Sequence, residues 1–428
     1  MEELSVSEPP SENELNGLFD SAVEYFEAGD VSAARDVLEQ LIAGVPDDPQ
    51  ILNYLAVTTH QTGDPSQARE LFERAVQVEP NFVEAWSNLG SLTHEMGEFD
   101  RAIKAYSRLC KLTPNEPGPF ICLGHALQAN QQCSQAVSAY KRGLSLSPGH
   151  PDAWSNLSRA LLWEGHWEEA LNAADQELTL QPGHTGALAL KSVALMELGR
   201  GEEWSKLVDL SELLQGFEIS VPVGHADILE FNRKLSKYCK NHPSLVFNPK
   251  NNTTELGFQT TNMANDDDFG PIADLMCAIE FCVEAYIEAR PISPGHPFLN
   301  QRPKDWTFDI WATVLGSGGH QSSHIHRDGW LSGVYYSQLP DLIRANTPNH
   351  AGWIEFGRQQ YYPKSQSRPR VQVLQPVEGN LFLFPSYFYH RTLPFNSERQ
   401  RISISFDLVP KGAVPMGGWL NTAEGTPE

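Results

Sequence analysis

Cysteine is sparse in this chain of 428 residues, and its six examples, Cys110, Cys122, Cys133, Cys239, Cys277 and Cys282, include no Cys-x-x-Cys pair. That absence excludes a zinc ribbon and the dense disulfide framework of small secreted domains, and predicts reduced, mostly buried thiols. No apolar run approaches the ~20 residues that span a bilayer, and no basic-then-apolar segment opens the chain, so the expectation is a soluble, cytoplasmic protein with no membrane partner. Basic residues are also few, 31 Lys and Arg against 54 Asp and Glu, for a net charge of −23. A surface of that sign repels phosphate backbones, which argues against nucleic acid as a partner, and it favours basic ones. Nucleotide-binding and serine-hydrolase signatures are missing as well. No GxGxxG follows a strand and no GxSxG elbow occurs, while Gly316-Ser317-Gly318-Gly319 lacks the Lys-Ser/Thr that a phosphate-binding loop requires.

What is present divides the chain in two, as its length leads one to expect. Residues 1–210 hold 13 Lys and Arg against 32 Asp and Glu, a balance of −19, and the remainder holds 18 against 22, a balance of −4. The acidic half carries a strict period. Glycine stands at 29, 63, 97, 165 and 199, 34 residues apart with Gln131 at the one missing grid point; proline at 46, 80, 114, 148 and 182 and alanine at 34, 68, 102, 136 and 170 keep step. Such a unit is two helices: glycine turns the chain between them, alanine lets them approach, and proline stops the second. The phrases Ala85-Trp86-Ser87-Asn88-Leu89-Gly90 and Ala153-Trp154-Ser155-Asn156-Leu157-Ser158 resemble the opening of the tetratricopeptide repeat. We expect five repeats from residue 15 to 184 and a degenerate capping one that loses its pattern after Trp204, giving an all-α solenoid over 15–210 behind a tail at 1–14. Trp86, Trp154, Phe72, Tyr106 and Tyr140 occupy packing positions of the unit. The resemblance implies a concave groove that takes a protein or peptide partner.

A linker is expected over 211–224, with Val221-Pro222-Val223-Gly224 at its end. Helical spacing returns over 226–240 and about 270–289. From Asp305 the texture turns to strand: 306–315, 320–326, 331–337, 353–356, 371–374, 381–384 and 401–408 are short, β-branched or aromatic, and bounded by turn residues, as in a β-sandwich or barrel. The tail 411–428 is expected to be loose.

Within this half, His324-Ile325-His326 places two imidazoles on one face of an extended strand, and His390, after Phe384-Pro385-Ser386, can reach them from another. Three histidines suit a borderline divalent metal, with iron and zinc both open on ligand type alone. Arg401 begins Arg401-Ile402-Ser403-Ile404-Ser405-Phe406, where alternation puts Ser403 beside it; a guanidinium fork there would hold a carboxylate.

The combination of His324-x-His326, Leu331-Ser332-Gly333-Val334-Tyr335-Tyr336, Phe384-Pro385-Ser386, His390 and Arg401-Ile402-Ser403-Ile404-Ser405-Phe406 resembles a family of Fe(II)/2-oxoglutarate-dependent oxygenases over about 225–410. Leu256-Gly257-Phe258-Gln259-Thr260 is similar to the segment that precedes its core. The resemblance implies a double-stranded β-helix of the jelly-roll or cupin-like type with flanking helices, Fe(II) as metal, and 2-oxoglutarate and dioxygen as co-substrates of a hydroxylase. Arg401 and Ser403 would bind the distal carboxylate, with Tyr336 as a further donor and Tyr335 as its alternative, since strand register is open. The wider superfamily uses two His and one Asp or Glu, and two registers compete here. His326, Asp328 and His390 reproduce that triad; His324, His326 and His390 align with the family motif and are preferred, Asp328-Gly329 being also a turn signature. A scaffold whose β-domain is catalytically silent, and a three-histidine oxygenase that does not use 2-oxoglutarate, are the alternatives.

Overall fold

The computed structural model describes residues 12–250, 252–266, 269–344 and 348–412. Most of the expected tails, 1–11 and 413–428, lies outside the described residues. The chain divides into two compact units, 1–160 and 161–428. Among the described residues no helix is long and apolar enough to cross a membrane, and all six cysteines are free, with Cys110, Cys133, Cys239 and Cys282 buried.

The first unit is a stack of helix pairs at the expected period: Glu12–Glu27 with Val31–Gly44, Pro49–Gln61 with Pro65–Val78, Val83–Glu95 with Phe99–Leu112, and Pro117–Ala129 with Cys133–Leu146. The grid explains the packing. Gly90 and Gly124 sit where a methyl group would stand 2.6 Å and 2.5 Å from the rings of Tyr106 and Tyr140, so each glycine admits the tyrosine of the second helix. Both tyrosines, with Phe72 and the alanines at 34, 68, 102 and 136, are core. Trp86 Nε1 donates to the carbonyl of Pro80 at 3.0 Å and Trp154 Nε1 to that of Pro148 at 2.8 Å, so the tryptophan ties each unit to the proline that ended the one before. Polar caps start the helices: Asp48 accepts from the amides of Gln50 and Ile51, and Asp64 from that of Gln67.

The second unit opens with the last repeat helices, Trp167–Leu180, Thr185–Glu197 and the seven-residue Gly201–Leu207. Ten strands follow among the described residues: β1 (Gln215–Glu218), β2 (Val246–Phe247), β3 (Thr254–Gln259), β4 (Trp306–His324), β5 (Leu331–Gln338), β6 (Ile354–Phe356), β7 (Gln372–Leu374), β8 (Asn380–Pro385), β9 (His390–Thr392) and β10 (Arg401–Pro410). They form one curled antiparallel sheet in the order β1-β8-β5-β10-β4-β9-β6-β7, with β3 joining β2 to β4, a double-stranded β-helix.

Two segments differ from the sequence reading. Residues 215–218, placed there in a linker, pair with β8 as an edge strand. The two strands expected at 306–315 and 320–326 are a single 19-residue strand, β4. Its first half pairs with β10 and its second with β9, and β3 spans the bend between them opposite Gly316–Gly319. Glycine is required at that bend: Gly318 has φ +78°, and a methyl group on Gly319 would stand 2.9 Å from the Leu256 carbonyl. One strand thereby serves both walls of the barrel.

Antiparallel pairing of β10 with β4 and β5 sets two faces. Ile402, Ile404, Phe406 and Leu408 point one way with Ile310, Ala312, Val314 and Tyr335, and all are fully or nearly fully buried. The helix Ile228–Lys240 covers that face, with Tyr335 Oη donating to Asn232 Oδ1 at 2.5 Å and Ser236 to Ser337 at 2.9 Å. Gly333 leaves room for Phe406, whose ring would lie 2.2 Å from an added methyl group. Arg401, Ser403, Ser405 and Asp407 point the other way, into the barrel.

The five grid glycines, 29, 63, 97, 165 and 199, have positive φ, and Gln131 at the sixth grid point takes φ +58°. A side chain in that region costs about 1–2 kcal/mol, and glycine gives back part of the difference in chain entropy. Gln131→Gly is expected to stabilise the repeat unit by about 0.5–1 kcal/mol, read as a higher denaturant midpoint at unchanged slope.

Candidate metal centre

The end of β4, the loop after it and the start of β9 bring three imidazoles together. His324 pairs with His390 across the β4–β9 ladder, and His326 follows two residues later with its backbone N–H donating to the Ser386 carbonyl at 3.0 Å. One ring nitrogen from each of His324, His326 and His390 lies within 4.8 Å of the other two; His324 Nε2 and His326 Nε2 are 3.4 Å apart. No other described histidine joins them.

The second nitrogen of each ring is already engaged. His324 Nδ1 lies 2.8 Å from the Ser322 carbonyl oxygen, His390 Nδ1 3.0 Å from that of Phe388, and His326 Nδ1 2.6 Å from Asp407 Oδ1. Carbonyl and carboxylate oxygens only accept, so each Nδ1 is the donor, and in the neutral form of such a ring Nε2 carries the lone pair. That tautomer is the one a metal needs. Burial, with His326 next, pushes the His324 ring down to about 3, although His324 is half-buried by surface area: the atoms packed round the ring outweigh its open edge. His390 is held well below its ordinary value by burial and then by His324 and His326. Rings that are neutral at physiological pH present ligands without first releasing a proton.

Aromatic side chains close the cluster. Trp311 lies 5.2 Å from the His326 ring, and Phe384 and Phe356 lie 4.8 Å and 5.8 Å from that of His390, between ring centroids. Asp328 is exposed on the bend after His326, and its carboxylate is not among the groups that converge. It acts on its surroundings by charge: burial, Asp407 and Asp328 together raise the carboxyl of Asp309.

Further into the barrel, Arg401 is 1% exposed. Its Nε donates to the Gly352 carbonyl at 3.2 Å and its Nη1 to Ser403 Oγ at 3.1 Å, and its guanidinium lies 5.0 Å from the centre of the Tyr336 ring. Among the described residues no carboxylate pairs with it. Ser403 is flanked on its two neighbouring strands by Tyr336 and Thr313; the buried Thr313 Oγ1 lacks a hydrogen-bond partner, and the buried Tyr336 Oη, which faces the Arg401 guanidinium, finds no acceptor for its proton. A buried cation without an anion beside two unsatisfied hydroxyls is costly unless a ligand completes it. Tyr336, not Tyr335, shares the face of Arg401; Tyr335 is turned to the helix.

Sequence reasoning did not find Thr313 and Asp407. Both fall in alternating rows, Asp309-Trp311-Thr313 on β4 and Arg401-Ser403-Ser405-Asp407 on β10, and extending the β10 row by two positions reaches Asp407.

The sequence profile of a family described as "Putative 2OG-Fe(II) oxygenase" matches residues 309–407, and tetratricopeptide-repeat profiles match 19–77, 61–117 and 127–176. Among solved structures, the chain is similar to MamA AMB-1, at 22% identity over 40% of this chain and 93% of that one with a TM-score of 0.37. It is also similar to MamA from Desulfovibrio magneticus RS-1, at 16% identity over 39% and 94% with a TM-score of 0.37. No curated protein matches the chain.

The His324 ring makes a pH prediction for the metal-free protein. The unfolded chain takes up its proton near 6.5 and the folded one only near 3, so the stability its neutral form contributes is fully present above about 6.5 and is lost as pH falls toward about 3. The unfolding free energy of wild type relative to His324→Gln should therefore decline between about pH 7.5 and about pH 5; a constant difference would contradict the buried, neutral ring.

Proposed function

We propose that this chain, which joins tetratricopeptide repeats to a C-terminal 2OG-Fe(II) oxygenase domain, is an Fe(II)- and 2-oxoglutarate-dependent dioxygenase acting as a hydroxylase. The observation that carries the proposal is Arg401: a fully buried guanidinium with no carboxylate partner among the described residues, on the same barrel interior that holds three convergent histidines.

The residues have distinct tasks. His324, His326 and His390 would hold Fe(II) through Nε2, each ring fixed by its Nδ1 hydrogen bond; Asp328 stays outside the set. Arg401 would take the distal carboxylate of 2-oxoglutarate in a charge-assisted hydrogen bond, with Ser403 orienting the guanidinium and the hydroxyls of Tyr336 and Thr313 donating to the same anion. Trp311, Phe356 and Phe384 shield the His326 and His390 rings from water, which strengthens the electrostatic contacts made there. Bound at this site, iron supplies the dioxygen chemistry that oxidises 2-oxoglutarate to succinate and CO₂ and hydroxylates a C–H bond of the substrate. The repeat array recruits that substrate, a protein or peptide, and raises its effective concentration for the oxygenase.

Succinate release tests the reading. Protein loaded anaerobically with Fe(II) and given 2-oxoglutarate and oxygen should form succinate, His390→Ala should abolish it, and Arg401→Ala should raise the KM for 2-oxoglutarate by about 10–100-fold, the worth of a hydrogen bond to a charged group. Iron bound at one equivalent with no succinate formed, or a KM indifferent to Arg401, would overturn it.

A further inference from the structure

We propose that Asp407 is the positioning residue of the metal centre: it fixes His326 as a ligand and supplies, one hydrogen bond outside the three histidines, the negative charge that a directly bound Asp or Glu supplies in the two-histidine facial triad. The inference rests on the metal-binding reading of the preceding section.

The three ligand rings are not held alike. His324 and His390 lean on backbone carbonyls, which are neutral, whereas His326 leans on a carboxylate. Asp407 is 7% exposed. Its Oδ1 accepts from His326 Nδ1 at 2.6 Å and from Ser332 Oγ at 2.6 Å, and Ser332 Oγ is 2.8 Å from Ser386 Oγ. Ser386 in turn accepts the backbone N–H of His326 at its carbonyl, so ring and main chain of His326 are tied to one network. Gly329 seals the same spot: a methyl group there would stand 2.6 Å from Ser386 Oγ and 3.1 Å from Asp407 Cβ, and its carbonyl accepts from Thr185 Oγ1 at 3.1 Å.

Charge is the second part of the argument. No Lys or Arg pairs with Asp407 among the described residues; the group it meets is the His326 ring, at Nδ1. Its neighbour across the β10–β4 ladder is Asp309, of like sign. A buried carboxylate in that position is destabilising on its own, and a dication on His326 Nε2 offsets it through the ring. The His326–Asp407 pair thus gives a neutral ligand set the anionic character of the mixed triad without placing a carboxylate on the metal.

Asp407→Asn tests this, because it keeps the size and the Oδ1 acceptor and removes the charge. Co(II) affinity of the full chain, measured by chelator competition together with the visible spectrum of the bound ion, should fall by about 10–100-fold, while the metal-free variant melts at or above the wild-type temperature. A structural role alone would give the reverse, a lower metal-free melting temperature and unchanged affinity, and would overturn the proposal. If Asp407→Asn does not fold, Ser332→Ala decides: it frees Asp407 from its second donor and should weaken Co(II) binding by a smaller factor, and unchanged affinity would count against the role. Wild-type protein that binds no Co(II) at the histidines would instead remove the metal-site reading itself, so the two failures are told apart.

Discussion

The register of β10 against β4 and β5 is the constraint on which the oxygenase unit depends. Side chains alternate along a strand, so this one pairing decides that Ile402, Ile404, Phe406 and Leu408 meet the helix Ile228–Lys240 and that Arg401, Ser403, Ser405 and Asp407 line the barrel. A slip of one residue would exchange the two sets, burying a guanidinium and a carboxylate against a helix and turning four apolar side chains into the site. The large burial on the helix side therefore also positions the chemistry. The same strand carries the proposed co-substrate anchor at Arg401 and, at Asp407, the proposed support of His326, so both ends of the proposed site share one rigid element.

The long strand β4 is the second structural device. Its bend at Gly316–Gly319 carries the chain from the β10 side to the β9 side, and His324 emerges at its end facing His390. The repeat array contributes to this unit as well. Glu197 on the helix Thr185–Glu197 accepts from Ser367 Oγ at 2.5 Å, from Ser365 Oγ, and from the amides of Gln366 and Ser367. Those bonds outweigh burial and hold its carboxyl below the ordinary value. Tyr387 Oη donates to the Leu207 carbonyl at 2.6 Å and Thr185 to the carbonyl of Gly329, in the loop after His326. The last repeat helices thus pack within the same unit as the barrel, and their contacts reach the residues that frame His326.

Much of this was legible in the chain. The repeats were, because a 34-residue period repeats glycine, alanine and proline for steric reasons that any copy must satisfy. The strands β5, β8 and β10 were, because each has enough β-branched and aromatic residues to signal itself. By contrast β1, β2 and β9 have two to four residues each and exist only through their partners, so local sequence carries no sign of them. The bend in β4 reads as a turn because Gly316-Ser317-Gly318-Gly319 is turn-like locally, and pairing with β3 overrides it. In the site, the three histidines and Arg401 stood out by spacing. Which tyrosine faced Arg401 depended on register, and Asp407 and Thr313 depended on cross-strand neighbours, which sequence alone does not supply.

The central claim is that three imidazoles, and no carboxylate, form the protein's share of the metal sphere. X-ray absorption at the iron edge of the Fe(II)-loaded protein, without 2-oxoglutarate, measures this directly through the scattering of imidazole rings. The account predicts three histidine ligands and an iron sphere unchanged in Asp328→Ala. Two histidines with a carboxylate, the latter lost in Asp328→Ala, would contradict it.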